Sequence, residues 1–132
     1  MNERHQDFTN EGYKTYLRWN ENGELFDKMF LRIAPFSFSG IVWYQGESNT
    51  SVSEGAIYDK MLSTMVQNWR EALDDYNVPF FVVVIANLDY RRDAGWYAVQ
   101  AAQRRAADAK KNVFVIESAD ISDSSAIHPT DK

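Results

Sequence analysis

The sequence predicts an α/β fold on a parallel sheet, and three observations carry that prediction. From Glu24 onward, helix-period and strand-type segments alternate in the order helix, strand, helix, strand, helix, strand, loop. The run Val78-Pro79-Phe80-Phe81-Val82-Val83-Val84-Ile85-Ala86 is apolar on both faces, as a central strand covered on both sides should be. The connections are also long enough for right-handed crossovers, which make successive strands parallel. The expected architecture is a three-layer, doubly wound sheet with helices on both faces.

Residues 1–23 are polar with scattered aromatics (Phe8, Tyr13, Tyr16, Trp19) and no clean period, and they read as an irregular segment ahead of a domain over 24–132. Leu25, Phe26, Met29, Phe30 and Ile33 then recur at helical spacing, and Pro35 closes that segment. Gly40 to Tyr44 is a short apolar, β-branched run of strand type. Ser51 and Glu54 stand at capping-box spacing ahead of the next helix, although Gly55 interrupts the pattern. Ile57, Met61, Leu62, Met65, Val66, Trp69 and Leu73 form one apolar stripe of that helix. After the central strand, Asp93 is placed to cap a helix carrying Trp96, Val99, Ala102 and Ala106. Lys110, Lys111 and Asn112 end it, Val113 to Ile116 is a third strand, and "ESADISDSSAIHPTDK" follows as a loop.

The chain has 132 residues, 45% hydrophobic and 14% aromatic, enough for one domain with a real core. A net charge of −5 with interspersed signs argues against a nucleic-acid or anionic-membrane partner. No cysteine is present, which excludes disulfides, thiolate metal sites and a cysteine nucleophile together. The opening "MNERHQDFTNEG" is too polar for a signal peptide, and no apolar run approaches the ~18–20 residues that span a bilayer. These features leave the compartment open, a secreted or periplasmic parent protein included.

In open α/β sheets, sites form at the carboxyl ends of the strands. The loops leaving those ends are "QGESNTS", "NLDYRRDAG" and "SADISDSSAIHP". They offer Gln45, Glu47, Ser48, Asn49, Asn87, Asp89, Arg91, Arg92, Asp120, Asp123 and His128. A histidine and a carboxylate converging there suggest acyl-transfer hydrolysis, with the histidine as base and the acid orienting its ring. Side-chain amides and the Gly46 N–H suit oxyanion stabilisation. Plainer roles stand beside these: Gln45 or Asn49 capping an element, Glu47 as a solvated loop acid, and His128 before Pro129 as a turn residue. His5 reads as solvated, and Trp43 and Tyr44 as packing residues. The sequence Asn49-Thr50-Ser51 is a formal glycosylation sequon, discounted because it lies in the presumed site loop. The order strand, Gly46-Glu47-Ser48, helix is that of a nucleophile elbow. Thr50, however, stands where the elbow has glycine, and four residues separate Ser48 from a helix start near Ser53. Both mismatches disfavour Ser48 as nucleophile.

"GIVWYQGESN" resembles the third conserved block of SGNH-type esterases, in the branch of the sialate O-acetylesterases and the acetylxylan esterases of carbohydrate esterase family 6. "LFDKMFLRIAPFSFSG", "VPFFVVVIANL", "WYAVQAAQRRA" and "IHPTDK" resemble that family's flanking segments in the right order, covering about Leu25 to Lys132. The resemblance implies a carbohydrate O-acetylesterase on an SGNH-type (flavodoxin-like) sheet, with an acetylated carbohydrate as substrate and no metal or other cofactor. His128 would be the general base and Glu47 the triad acid, with Gln45 and Gly46 near the oxyanion. Ser48 and Asn49 would shape the loop, Asn49 close to substrate.

Two departures qualify it. Ser125 and Ala126 occupy the places where the family sets an aspartate before the histidine, leaving Asp120 and Asp123 further back. No serine block of the family's G-[DQ]-S type precedes Gly40, where Ser37 and Ser39 lack the matching context, and only four residues follow His128. The expectation is therefore a partial esterase domain lacking its first strand and its nucleophile, negligibly active alone. The alternative is a non-catalytic carbohydrate-binding or assembly module, with self-association through the exposed sheet edge.

Overall fold

The computed structural model describes residues 23–119 and 121–127. The expected irregular segment with His5, the residue Asp120 and the closing run from His128 to Lys132 lie outside those residues. The chain divides into two compact units, Met1–Ser37 and Phe38–Lys132. In the first, the expected helix forms, but most of it winds as a π-helical turn, Phe26–Phe30, before a short α1, Leu31–Ile33. Phe26 and Phe30 stack with ring centroids 5.4 Å apart. Of the apolar residues at helical spacing, Phe30 is buried while Leu25, Met29 and Ile33 are exposed.

The second unit holds β1 (Ile41–Trp43), β2 (Phe80–Val83) and β3 (Val113–Ile116) in one sheet of order β1-β2-β3. All pairs are parallel, with Ile41 beside Phe80 and Phe80 beside Val113. Connecting them are α2 (Val52–Gly55), α3 (Tyr58–Ala72) and α4 (Ala94–Ala109). The fold is thus the α/β parallel type that the alternation implied. Along β2, Phe80 and Val82 are fully buried in one cluster with Leu62 and Val66 of α3 and with Val99 and Ala102 of α4. Their neighbours Phe81 and Val83 point the other way and are only partly covered. On that second face Val42, Phe114 and Ile116 are exposed, and the Phe81 and Phe114 rings stack at 5.4 Å. Both long helices of this unit therefore lie against one face, as successive right-handed crossovers in one direction require.

The inward row of α3 is not wholly apolar. Tyr58, Leu62, Val66 and Arg70, each four residues after the last, are its buried members. Met65, Trp69 and Leu73 flank them, while Ile57 and Met61 are largely exposed. Arg70 reaches the amino ends of β2 and β3. Its Nη2 donates to the carbonyls of Val78 (2.9 Å), Lys111 (2.9 Å) and Asn112 (3.1 Å), and its guanidinium lies 5.6 Å from the Phe80 ring centroid. Burial lowers its pKa, but an arginine starts so high that the charge persists. We expect Arg70→Met to cost about 3 kcal/mol of unfolding free energy, because it strands buried carbonyls, and Arg70→Lys to recover only part of it. Urea unfolding midpoints check this; a wild-type midpoint for Arg70→Met would refute the fastening role.

Candidate active site

Past β1 the chain crosses the carboxyl edge of the sheet in contact with α4. A Cβ on Gly46 would lie 2.9 Å from Val99 Cγ1 and 3.0 Å from Ile85 Cγ2, so only glycine lets the loop run this close to the core. Glu47–Asn49 forms a 3₁₀ turn, closed by the Asn49 N–H on the Gly46 carbonyl at 2.9 Å. Thr50 Oγ1 then donates to the Glu47 carbonyl at 2.9 Å. Ser51 caps α2 by accepting from the Glu54 N–H, as the spacing predicted. Gly55, the residue that interrupted the expected pattern, has a packing role. A Cβ there would sit 2.9 Å from the Gly95 carbonyl, and one on Gly95 would fall on the Thr50 carbonyl. Asp93 caps α4 by accepting from the Trp96 N–H at 3.0 Å. That bond, then its contact with Arg91, holds its carboxyl below the usual carboxylate range.

Gln45 and Asn49 are brought together. Gln45 Nε2 donates to Asn49 Oδ1 at 2.8 Å, and Asn49 Nδ2 contacts Glu54 Oε1 at 3.4 Å. The Gln45 carbonyl accepts from the Tyr58 hydroxyl at 2.8 Å and from Gln103 Nε2 at 2.9 Å. Gln103 Oε1 in turn accepts from the Ile85 N–H at 3.0 Å. Beside this network, Trp43, Met61 and Met65 help line a cavity of about 150 Å³.

Glu47 stands apart from that network. It lines a narrow hollow with Tyr44, Leu88, Trp96, Ser122, Asp123 and Ile127. The loops from all three strand ends meet there. Ser118 Oγ donates to the Val84 carbonyl at 2.7 Å, and the Ser124 carbonyl accepts from the Asp89 N–H at 3.0 Å, which ties the third loop to the second. The Ser125 N–H bonds Asp123 at 2.8 Å and is the main cause that keeps its carboxyl below the usual range. Ile127 packs on the core, so the residue before His128 is part of the wall around Glu47. Arg91 donates to Thr50 Oγ1 at 2.7 Å and to Asp93 at 2.9 Å, and lies 5.2 Å from the Trp96 ring centroid, bracing the same loop. Ser48 is exposed and lines neither hollow.

Tyr58, Gln103 and Ser122 were not among the candidate residues of the strand-end loops. Gln103 follows Trp96 and Val99 at positions i+7 and i+4, on the inward row of α4, and a polar residue there was the available signal. Tyr58 likewise precedes Leu62 by one helical repeat. Nothing in the pattern marked Ser122, whose hydroxyl is buried with no partner among the described residues. Among the described residues, no group of three or more His, Asp or Glu side chains is placed to hold a metal. No described helix is long and apolar enough to cross a membrane.

The family model described as carbohydrate esterase, sialic acid-specific acetylesterase, matches residues 10–132. The chain belongs to this carbohydrate esterase family. Among solved structures, a carbohydrate acetylesterase from Xanthomonas citri superposes with a TM-score of 0.72 at 28% identity, over 80% of this chain and 25% of that one. A protein from Arabidopsis thaliana superposes with a TM-score of 0.64 at 21% identity, over 80% of this chain and 44% of its own, a likeness of fold. The chain thus spans a quarter of the length of the first and under half of the second. No curated protein matches the sequence.

The contact between Gly95 and Thr50 makes the loop sensitive to a single methyl group. We expect Gly95→Ala to lose about 3 kcal/mol, at the upper end of overpacking costs, because the obstructing atom is backbone rather than a mobile side chain. Thermal or urea unfolding tests it, and a loss below about 0.5 kcal/mol would show that the approach is looser than described.

Proposed function

We propose that this chain is part of a carbohydrate O-acetylesterase that removes acetyl groups from sialic acid or xylan-type glycans, and that it supplies the histidine and acid side of the site. The observation that carries the reading is the meeting of all three strand-end loops around Glu47, next to the segment that leads into His128, in a chain of this family. A serine hydroxyl attacks the acetyl carbonyl while His128 takes its proton. Glu47 orients the imidazole, since Asp123 is engaged by Ser125. The oxyanion is met by the Gly46 N–H, while the Gln45 amide, engaged by Asn49 and Tyr58, holds the loop behind it. His128 returns the proton to the departing sugar oxygen, and water then releases acetate by the same steps. No metal or other cofactor enters this chemistry.

None of the 132 residues falls in a block like the family's serine block, and Ser48 faces solvent. The nucleophile therefore lies outside these residues, and the chain alone turns over acetyl esters negligibly. p-Nitrophenyl acetate hydrolysis tests this with wild type, His128→Ala and Ser48→Ala. Loss of a general base costs roughly 10²–10⁴-fold. A vigorous wild-type rate that falls by that factor in His128→Ala would sink the placement of the serine, and a matching fall in Ser48→Ala would restore the elbow.

A second reading, an assembly or carbohydrate-binding module, is favoured by one observation. β1 pairs with β2 on one side, and no strand among the described residues pairs with its other side. On that reading, sedimentation shows a concentration-dependent dimer that Val42→Lys weakens, whereas a monomer at all concentrations counts against it.

A further inference from the structure

The Gln45–Gly46 peptide is gripped from one side. Its carbonyl oxygen accepts from two interior donors, the Tyr58 hydroxyl and Gln103 Nε2. The peptide is trans, so the Gly46 N–H projects opposite to that carbonyl, away from both donors. Gly46 is buried, yet its N–H has no acceptor among the described residues. A buried N–H without a partner is rare, and this one is open to an acceptor beyond the described residues.

We propose that Tyr58 and Gln103 are positioning residues that, by engaging the Gln45 carbonyl, hold the Gly46 N–H outward as a donor for an anionic acyl oxygen. The proposal rests on the ester-hydrolysis reading above for the identity of that oxygen. Neither residue touches the substrate. Their task is needed because a glycine peptide rotates easily, and a rotated peptide would turn its N–H toward two donors and leave both without an acceptor. The carboxamide of Gln103 cannot exchange its ends either, because the Ile85 N–H fixes its oxygen. Burial raises the Tyr58 pKa, so that hydroxyl remains a donor throughout the neutral range.

Gln103→Glu provides the test. Ionised, the new carboxylate still accepts from the Ile85 N–H but has no proton for the Gln45 carbonyl; protonated, it has one. Burial raises the folded-state pKa of the new carboxyl above its unfolded value. The bridge and the stability it gives are therefore present at low pH and lost as pH rises through the folded value. In ¹⁵N NMR spectra of the full chain, the Gly46 amide of Gln103→Glu should match wild type at low pH and diverge from it as pH rises, over and above the movement that the ionisation of the adjoining Glu47 gives both proteins. At neutral pH, acetate should shift the wild-type Gly46 amide saturably. That response should be lost in Gln103→Glu and weakened in Tyr58→Phe, which keeps the protein's shape and removes one donor.

A Gly46 amide unmoved in both variants overturns the proposal. A Gly46 amide that titrates in Gln103→Glu but never responds to acetate, even in wild type, overturns the oxyanion reading and leaves the grip on the peptide standing.

Discussion

The Gln103 carboxamide joins two strand ends that the sheet itself does not join. The β1–β2 ladder pairs no residues beyond Trp43 and Val82; two positions further along the first strand and three along the second, the Gln45 carbonyl and the Ile85 N–H are both bonded to the one fully buried side chain. Each such bond is worth only about 1 kcal/mol net, but a buried polar atom left unmet costs about 1–3 kcal/mol. The bridge therefore acts more as a constraint than as a source of stability: arrangements of the loop that break it are excluded. Arg70 does the equivalent at the opposite edge, where its guanidinium collects carbonyls from the residues that enter β2 and β3. The sheet is fastened at both ends by polar side chains that arise from the helices covering it.

With its ends fixed in this way, the sheet can tolerate very close contacts above its carboxyl edge. Gly46 lies against Val99 and Ile85, and Gly95 against the Thr50 carbonyl, at separations that leave no room for a methyl group. Arg91 then spans from the second loop to Thr50, which itself bonds the Glu47 carbonyl. The first loop is thus braced from β2, from α4 and from the loop between them, while the third loop is tied to the second through Ser124 and Asp89. A cleft assembled from three loops needs such cross-bracing, because each loop alone has the freedom that function cannot use.

Periodicity revealed most of the framework. β3 was legible to its exact ends, as were the caps Asp93 and Ser51, because each rests on local chemistry that tertiary contacts do not override. Residues whose place depends on distant partners were not legible. Ile57 and Met61 read as stripe members but are exposed, while Tyr58 and Arg70, which complete the buried row, read as polar. Their burial is stabilised by the strand-end carbonyls, and no window of sequence around α3 contains those carbonyls. Within the second unit, a single direction of crossover sets α3 and α4 on one face of the sheet. At the site, the motif gathered Gln45, Glu47 and Asn49 into one set, whereas the fold sends Glu47 to one hollow and the two amides to another.

That division follows from the turn itself. A 3₁₀ helix has three residues per turn, so successive side chains leave it about 120° apart. Glu47, Ser48 and Asn49 are three successive residues of such a turn, and they must point in three directions. Glu47 takes the hollow shared with the third loop, Asn49 takes the side of Gln45 and Tyr58, and the direction that remains is solvent, where Ser48 lies. An elbow presents its serine at the apex toward the site because the following helix starts at once and carries the residue inward. Here α2 does not begin until Val52, and the chain spends the interval on a turn that orients its acid and its amide. The atoms this loop holds most firmly are those of the Gln45–Gly46 peptide, ahead of the turn.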